Sequence, residues 1–184
     1  TPRTSSAASD VYKRQDMELR SPRQPVSIAH LLTHMSGLTY GESLSPSDHP
    51  VDKLYGPLTD GQTSLTGFVD KLSTIPLRFD PGTNWCYSLA TDVCGALVEI
   101  ISGQPFSEFL GERLFEPLDM SDTSFTISDE KVPRLAANYE RDQDKNLVLV
   151  DDPVESIYAD TRRLQSGGGG LLSTTADYAK FCEM

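Results

Sequence analysis

The sequence predicts an α/β chain of the α+β kind, mainly helical with one small β-hairpin. Three observations lead to it. Apolar residues recur every three to four positions in several separate stretches, which is the period of a helix with one buried face. One stretch, "NLVLV" from Asn146, instead concentrates strand-forming residues next to turn chemistry. Pro76, Gly103 and Pro117 stand where periodic stretches end, and Pro105 where the next one begins.

At 184 residues, 38% hydrophobic and 23% charged, the chain has the balance of one compact domain or part of a larger one. A net charge of −11 without a cluster of Lys and Arg argues against nucleic acid as a partner. Charged or small polar residues interrupt the apolar stretches well short of the ~20 residues a membrane helix needs, so no membrane span is expected. Cys86, Cys94 and Cys182 make an odd count without C-x-x-C spacing. Neither a disulfide framework nor a zinc site is encoded by that pattern, and a reducing, cytoplasmic compartment is the expectation.

Taken in order, residues 1–15 are small, polar and aperiodic, and read as a disordered or non-native leader before a partial domain over 16–184. Ser27 is suited to cap a helix through "IAHLLTHMSG", with Ile28, Leu31, Leu32 and Met35 on one face and Gly37 as the left-handed terminator. Residues 40–63 are dense in Gly, Ser, Pro and Asp and predict a long irregular loop. Leu65, Phe68, Val69 and Leu72 predict the next helix, stopped by Pro76. After the turn "FDPGT", the residues from Ser88 to Ile101 predict a third helix ended by Gly103. Pro105 is placed at N1 of a fourth, carrying Phe106, Phe109, Leu110 and Leu114 and ending before Pro117. "AANYERDQDKNLVLVDD" predicts the hairpin. Thr174 followed by Asp177 resembles a capping box, so the chain is expected to end inside a last helix.

Three patterns suggest chemistry and have plainer readings. His30 and His34 are four apart, but Leu31 stands where a zincin has its glutamate, which favours cap and packing roles. Ser128 and Lys131 form S-x-x-K, yet two acids separate them and Pro133 follows closely, as in a solvated loop. The glycines at 167–170 lack the G-K-[S/T] ending of a phosphate loop, which leaves close approach of backbone to another element or to a substrate. Tyr87, two residues after Trp85 and at the start of the third helix, reads first as a packing aromatic whose hydroxyl finds a partner.

Together, "SIAHLLTHMSGLTYG", "FDPGTNWCYSLATDVCGALVEIISGQPFSEFL", "RLFEPLDMSDTSF" and "SGGGGLLSTTADYAKF" resemble, in that order, the serine β-lactamase-like hydrolases. That family holds class C β-lactamases, penicillin-binding-protein-like peptidases and the family VIII carboxylesterases. The resemblance implies a β-lactamase/transpeptidase-like fold of which this chain carries mainly the helical part. It implies acyl transfer to a serine of S-x-x-K, with Tyr87 as the catalytic tyrosine that moves its proton, and no cofactor or metal. Trp85, Gly168, Gly169 and Gly170 are expected to shape the substrate pocket.

Class C enzymes carry Y-x-N, whereas this chain has Tyr87, Ser88 and Leu89, closer to the esterases. A small carboxylic ester is therefore the expected substrate, ahead of a β-lactam or a D-amino-acid peptide. No S-x-x-K precedes Tyr87, and no K-T-G or H-x-G occurs. The segment is expected to be inactive alone, the rival expectation being a binding or scaffold module that has lost the chemistry.

Overall fold

The computed structural model describes residues 11–12, 19–44, 46–56 and 64–184. They form two units: Thr1–Phe106 with Leu164–Gly169, and Ser107–Arg163 with Gly170–Met184. In the first unit, β1 (Val11–Tyr12) and β2 (Leu19–Arg20) pair antiparallel, Val11 opposite Arg20. The leader expected over 1–15 otherwise lies outside the described residues.

Helix α1 (Ile28–Leu32) starts where predicted: the Ser27 hydroxyl accepts the His30 N–H, and His30 Nδ1 accepts the Ser27 N–H, each at 3.2 Å. It ends earlier than predicted. His34 N–H donates to Leu31 O (3.2 Å) and Met35 N–H to His30 O (2.8 Å), the two crossed bonds of a Schellman closure. The left-handed residue of that closure is His34 (φ 55°), not Gly37, which turns the chain further on with φ 90°. His30 and His34 therefore do not share a helix face. Of the predicted apolar face only Leu31 is buried, while Ile28 and Leu32 are exposed.

The loop predicted over 40–63 contains 3-10 turns at Gly41–Ser43 and Asp52–Leu54 and contributes to the core. Val51 and Tyr55 are buried in it. The carboxylate of Asp52, also buried, is compensated by the Arg78 guanidinium at 3.1 Å and the Ser47 hydroxyl.

Helix α2 (Leu65–Leu72) is capped by Ser64, whose hydroxyl accepts the Gly67 N–H at 3.1 Å, and buries Leu65, Phe68 and Leu72. Helix α3 (Ala90–Ser102) begins two residues after Ser88 because Ser88 is drawn into a side-chain contact and Leu89 takes a non-helical backbone conformation. It ends on left-handed Gly103 (φ 72°), as predicted. Leu31, Phe68, Leu72, Leu77, Leu89 and Val93 join in one buried cluster. Each such side chain contributes about 1.5–3 kcal/mol on leaving water.

One ion pair locks the segment before α1 to the turn before α3. Arg20 donates twice to Asp80, and the Arg23 N–H adds a third bond at 3.0 Å. The Arg20 hydrogen bonds hold the Asp80 carboxyl down at about 2. A depressed carboxylate stabilises the fold above its unfolded pKa, near 3.9, and that contribution fades as the pH falls toward 2. The stability gap between the native chain and Asp80→Asn is therefore expected to be flat above about pH 5 and to shrink between about pH 4 and 2. Thermal denaturation across that range measures it, and a gap constant down to pH 2 would refute the assignment.

Helix α4 (Phe106–Leu110) continues through a π-type turn, Gly111–Phe115, as far as the predicted stop before Pro117. Pro105 precedes the first helical residue instead of occupying N1, and the Glu99 carboxylate accepts the Phe106 N–H at 2.9 Å. The second unit begins within this helix, at Ser107. Its hairpin is the predicted one, β3 (Asn138–Arg141) against β4 (Leu147–Asp151), with Tyr139 opposite Leu149. Asp142 accepts the N–H groups of Asp144 and Asn146 across the turn. Leu147, Val148, Leu149 and Val150 are all exposed.

Helix α5 (Thr175–Cys182) has half of the predicted capping box, Thr174 accepting the Asp177 N–H at 3.1 Å. The Asp177 carboxylate does not reach back. It is buried and accepts the Asp122 N–H (2.7 Å) and the Thr123 hydroxyl (3.0 Å). Among the described residues no helix is long and apolar enough to cross a membrane.

Candidate active site

Tyr87 lies three residues before α3 and is half-exposed, with its ring outside the buried cluster. Two aromatic rings flank it, His34 at 4.8 Å and Tyr40 at 5.2 Å between centroids. The exposed Trp85 meets the His34 ring edge-on at 6.3 Å. Phe would pack equally well in this setting, so the hydroxyl is what distinguishes the position.

The Tyr40 hydroxyl lies near it. Burial, followed by the nearby Asp92 carboxylate, pushes the Tyr40 phenol up to about 12. A phenol so far above neutrality keeps its proton and remains a donor. The Thr91 hydroxyl is a further neighbour of the Tyr40 oxygen.

The glycine run meets the same cluster from another part of the chain. Buried Asp92, in the first turn of α3, accepts the Ser166 hydroxyl at 2.5 Å and the Gly168 N–H at 3.4 Å. A Cβ at residue 167 would fall 2.3 Å from the Thr91 carbonyl oxygen, and one at residue 168 would fall 2.9 Å from both Asp92 Oδ2 and Thr91 Oγ1 and 3.2 Å from the Tyr40 hydroxyl. Only glycine fits the chain this closely against α3. Of the two readings open for these glycines, Gly167 and Gly168 meet another element. Gly169 faces open space, and Gly170 (φ 88°) belongs to the second unit.

Tyr40, Thr91, Asp92 and Ser166 were not foreseen as members of this cluster. Tyr40 sits in a stretch read as irregular loop, and no spacing rule links it to Tyr87. His30 has the predicted cap role, whereas His34 joins the aromatic group. Among the described residues no set of three His, Cys, Asp or Glu side chains is arranged to hold a metal ion.

The second unit contains a cleft of about 380 Å³ between Ile127, Leu135, Leu171 and Leu172, with Lys131 and Arg134 at its rim. Both cations are bound to Asp122, at 3.0 and 2.7 Å. Lys131 Nζ also donates to the Ser121 carbonyl at 2.7 Å, and its backbone N–H closes a turn onto Ser128 O at 2.8 Å. S-x-x-K is thus a loop turn here, with the ammonium occupied by other groups.

A model of the family described as Beta-lactamase matches residues 8–184. Esterase EstB of Burkholderia gladioli is 36% identical over 130 residues, 68% of this chain and 32% of that protein. The monacolin J acid methylbutanoyltransferase of Aspergillus terreus is 30% identical over 166 residues, 88% of this chain and 38% of that one. The solved structure of EstCE1, described as a hydrolase with promiscuous acyltransferase activity, matches with a TM-score of 0.73 at 26% identity, over 95% of this chain and 48% of that chain. The segment therefore has the β-lactamase/transpeptidase-like fold expected from its motifs, and spans about a third to a half of the length of these relatives.

Proposed function

The chain belongs to the Beta-lactamase family, and from that premise we propose that it supplies the tyrosine side of an acyl-serine site that cleaves small carboxylic esters. The observation that carries this reading is the position of Tyr87, half-exposed just before α3 with its ring against those of His34 and Tyr40. In the reaction, the serine Oγ of the family's S-x-x-K bonds to the ester carbonyl carbon as Tyr87 takes its proton. Tyr87 then returns that proton to the departing alkoxide as the acyl–oxygen bond breaks. Water, deprotonated through the same group, releases the acid. A free phenol near pKa 10 is a weak match for this task at neutral pH, and a cation beside the oxygen, such as the lysine of the family's S-x-x-K, works in the required direction. Trp85, which is exposed, and Gly169, where an added Cβ would meet open space, are the residues proposed to border the substrate.

Leu89 supports the choice of ester over β-lactam. It occupies the third position of the tyrosine motif and is buried in the core cluster, so this position offers no amide to a lactam side chain. Residues 16–184, joined to the S-x-x-K helix and third-motif strand of the family, are expected to turn over a p-nitrophenyl ester with higher kcat/KM than a β-lactam or a D-amino-acid amide. A lactam preference would overturn the ester reading, and failure on all three substrates in a folded chain would favour the scaffold module. The 184-residue chain alone is expected to stay at background, with Ser128 unlabelled by a fluorophosphonate. Labelling of Ser128 would put the nucleophile in the loop turn and refute the assignment.

A further inference from the structure

We infer that His34 is a positioning residue for Tyr87, holding the chain on both sides of it; the inference rests on the reading of Tyr87 as the proton-transfer group. His34 occupies the C′ position of α1 with φ 55°, a left-handed conformation in which glycine is the usual residue and an L side chain is disfavoured. Backbone strain of this kind persists where the surrounding contacts over-determine it, and it concentrates near functional sites.

The contacts of His34 converge on three successive residues. Its carbonyl accepts the Cys86 N–H at 2.9 Å. Its imidazole Nδ1 lies 3.3 Å from the Ser88 hydroxyl, which is fully buried. Between those two anchors its ring packs against Tyr87 at 4.8 Å. The neighbouring bonds extend the same attachment, Gly82 N–H to Met35 O and Arg78 N–H to Gly37 O, both at 2.8 Å. The segment after α1 thus clamps the approach to α3, and His34 is the part of the clamp that reaches past the backbone to Ser88. Glycine at this position would relieve the conformation and keep the Cys86 bond, but it would lose the imidazole. The need for that ring accounts for a histidine at a glycine position.

His34→Gly separates positioning from folding, because the two roles predict opposite changes. The variant is expected to retain or raise the melting temperature of the 184-residue chain. With tyrosines labelled at 13Cζ and Tyr87 assigned through Tyr87→Phe, the Tyr87 resonance is expected to move or broaden while that of buried Tyr55 stays in place. In the chain completed with the family's remaining motifs, kcat for the ester is expected to fall on the order of 10- to 100-fold, as for a small misplacement of a reacting group, with KM little changed. Ser88→Ala should lower kcat in the same direction, and the double variant should be no worse than His34→Gly alone, since both remove one contact.

Wild-type kcat and an unmoved Tyr87 resonance in His34→Gly would overturn the inference while leaving Tyr87 as the proton-transfer group. A fall in kcat that tracks a lower melting temperature, with Tyr55 also displaced, would reduce His34 to a structural residue and equally overturn it. Full activity in Tyr87→Phe would instead defeat the function proposed above, so the two failures are distinguishable.

Discussion

Tyr87→Phe is expected to lower kcat for an ester by roughly 10²–10⁴-fold in the chain completed with the family's nucleophile, the range a positioned acid–base group supplies. The substitution keeps the ring, and with it the packing against His34 and Tyr40. Only the hydroxyl is lost, and with it a polar neighbour of the Tyr40 hydroxyl. Because the ring is half-exposed, stability should change by no more than about 1 kcal/mol, the net worth of one hydrogen bond. Loss of turnover with the fold intact is therefore the diagnostic combination. Tyr40→Phe removes a neighbouring hydroxyl and leaves Tyr87 in place, so it should fall between Tyr87→Phe and the native enzyme. Full activity in Tyr87→Phe would reduce Tyr87 to a packing residue.

The largest effect on stability is expected from Phe68→Ala. Phe68 on α2 is completely buried and belongs to the core cluster with Leu72, Leu77 and Val93. Removing a buried phenyl ring costs about 3–5 kcal/mol, through lost transfer energy and the cavity left behind. Whole domains are stable by only about 5–15 kcal/mol, so this one change removes a large share. Ile101→Ala, at a residue 76% exposed on α3, deletes a side chain of similar hydrophobicity and should stay within about 0.5 kcal/mol. Urea denaturation compares the two: the Phe68→Ala midpoint should drop with little change in slope. Equal midpoints would mean that this core does not hold the fold together.

Features whose causes lie within a few residues could be read from the sequence. Ser27 and Thr174 cap helices because a side-chain oxygen reaches an N–H three residues ahead. Gly103 ends α3 because it takes a positive φ without penalty. The hairpin follows from the strand-forming run beside "DQDKN". Tyr87 was marked by resemblance, through "NWCYSLATD" and the motifs around it. Apolar periodicity located the helices but could not tell which apolar residues would find partners, so Ile28 and Leu32 share the pattern of Leu31 and stay exposed.

What only the tertiary structure decided depends on groups far apart in the chain. The end of α1 moved to His34 because its backbone and imidazole bind residues 86 and 88, a tertiary gain that local glycine preference cannot anticipate. Tyr40 became the partner of Tyr87, and Asp92 tied down Ser166 and Gly168, through contacts across most of the first unit's sequence. Such contacts leave no period or spacing behind, because a hydrogen bond requires only that two groups meet in space. The sequence by itself determined where the helices and turns form, since capping, backbone freedom and side-chain period act locally. The folded chain decided which side chains surround Tyr87 and what holds that tyrosine in place, since those interactions exist only once distant segments pack together.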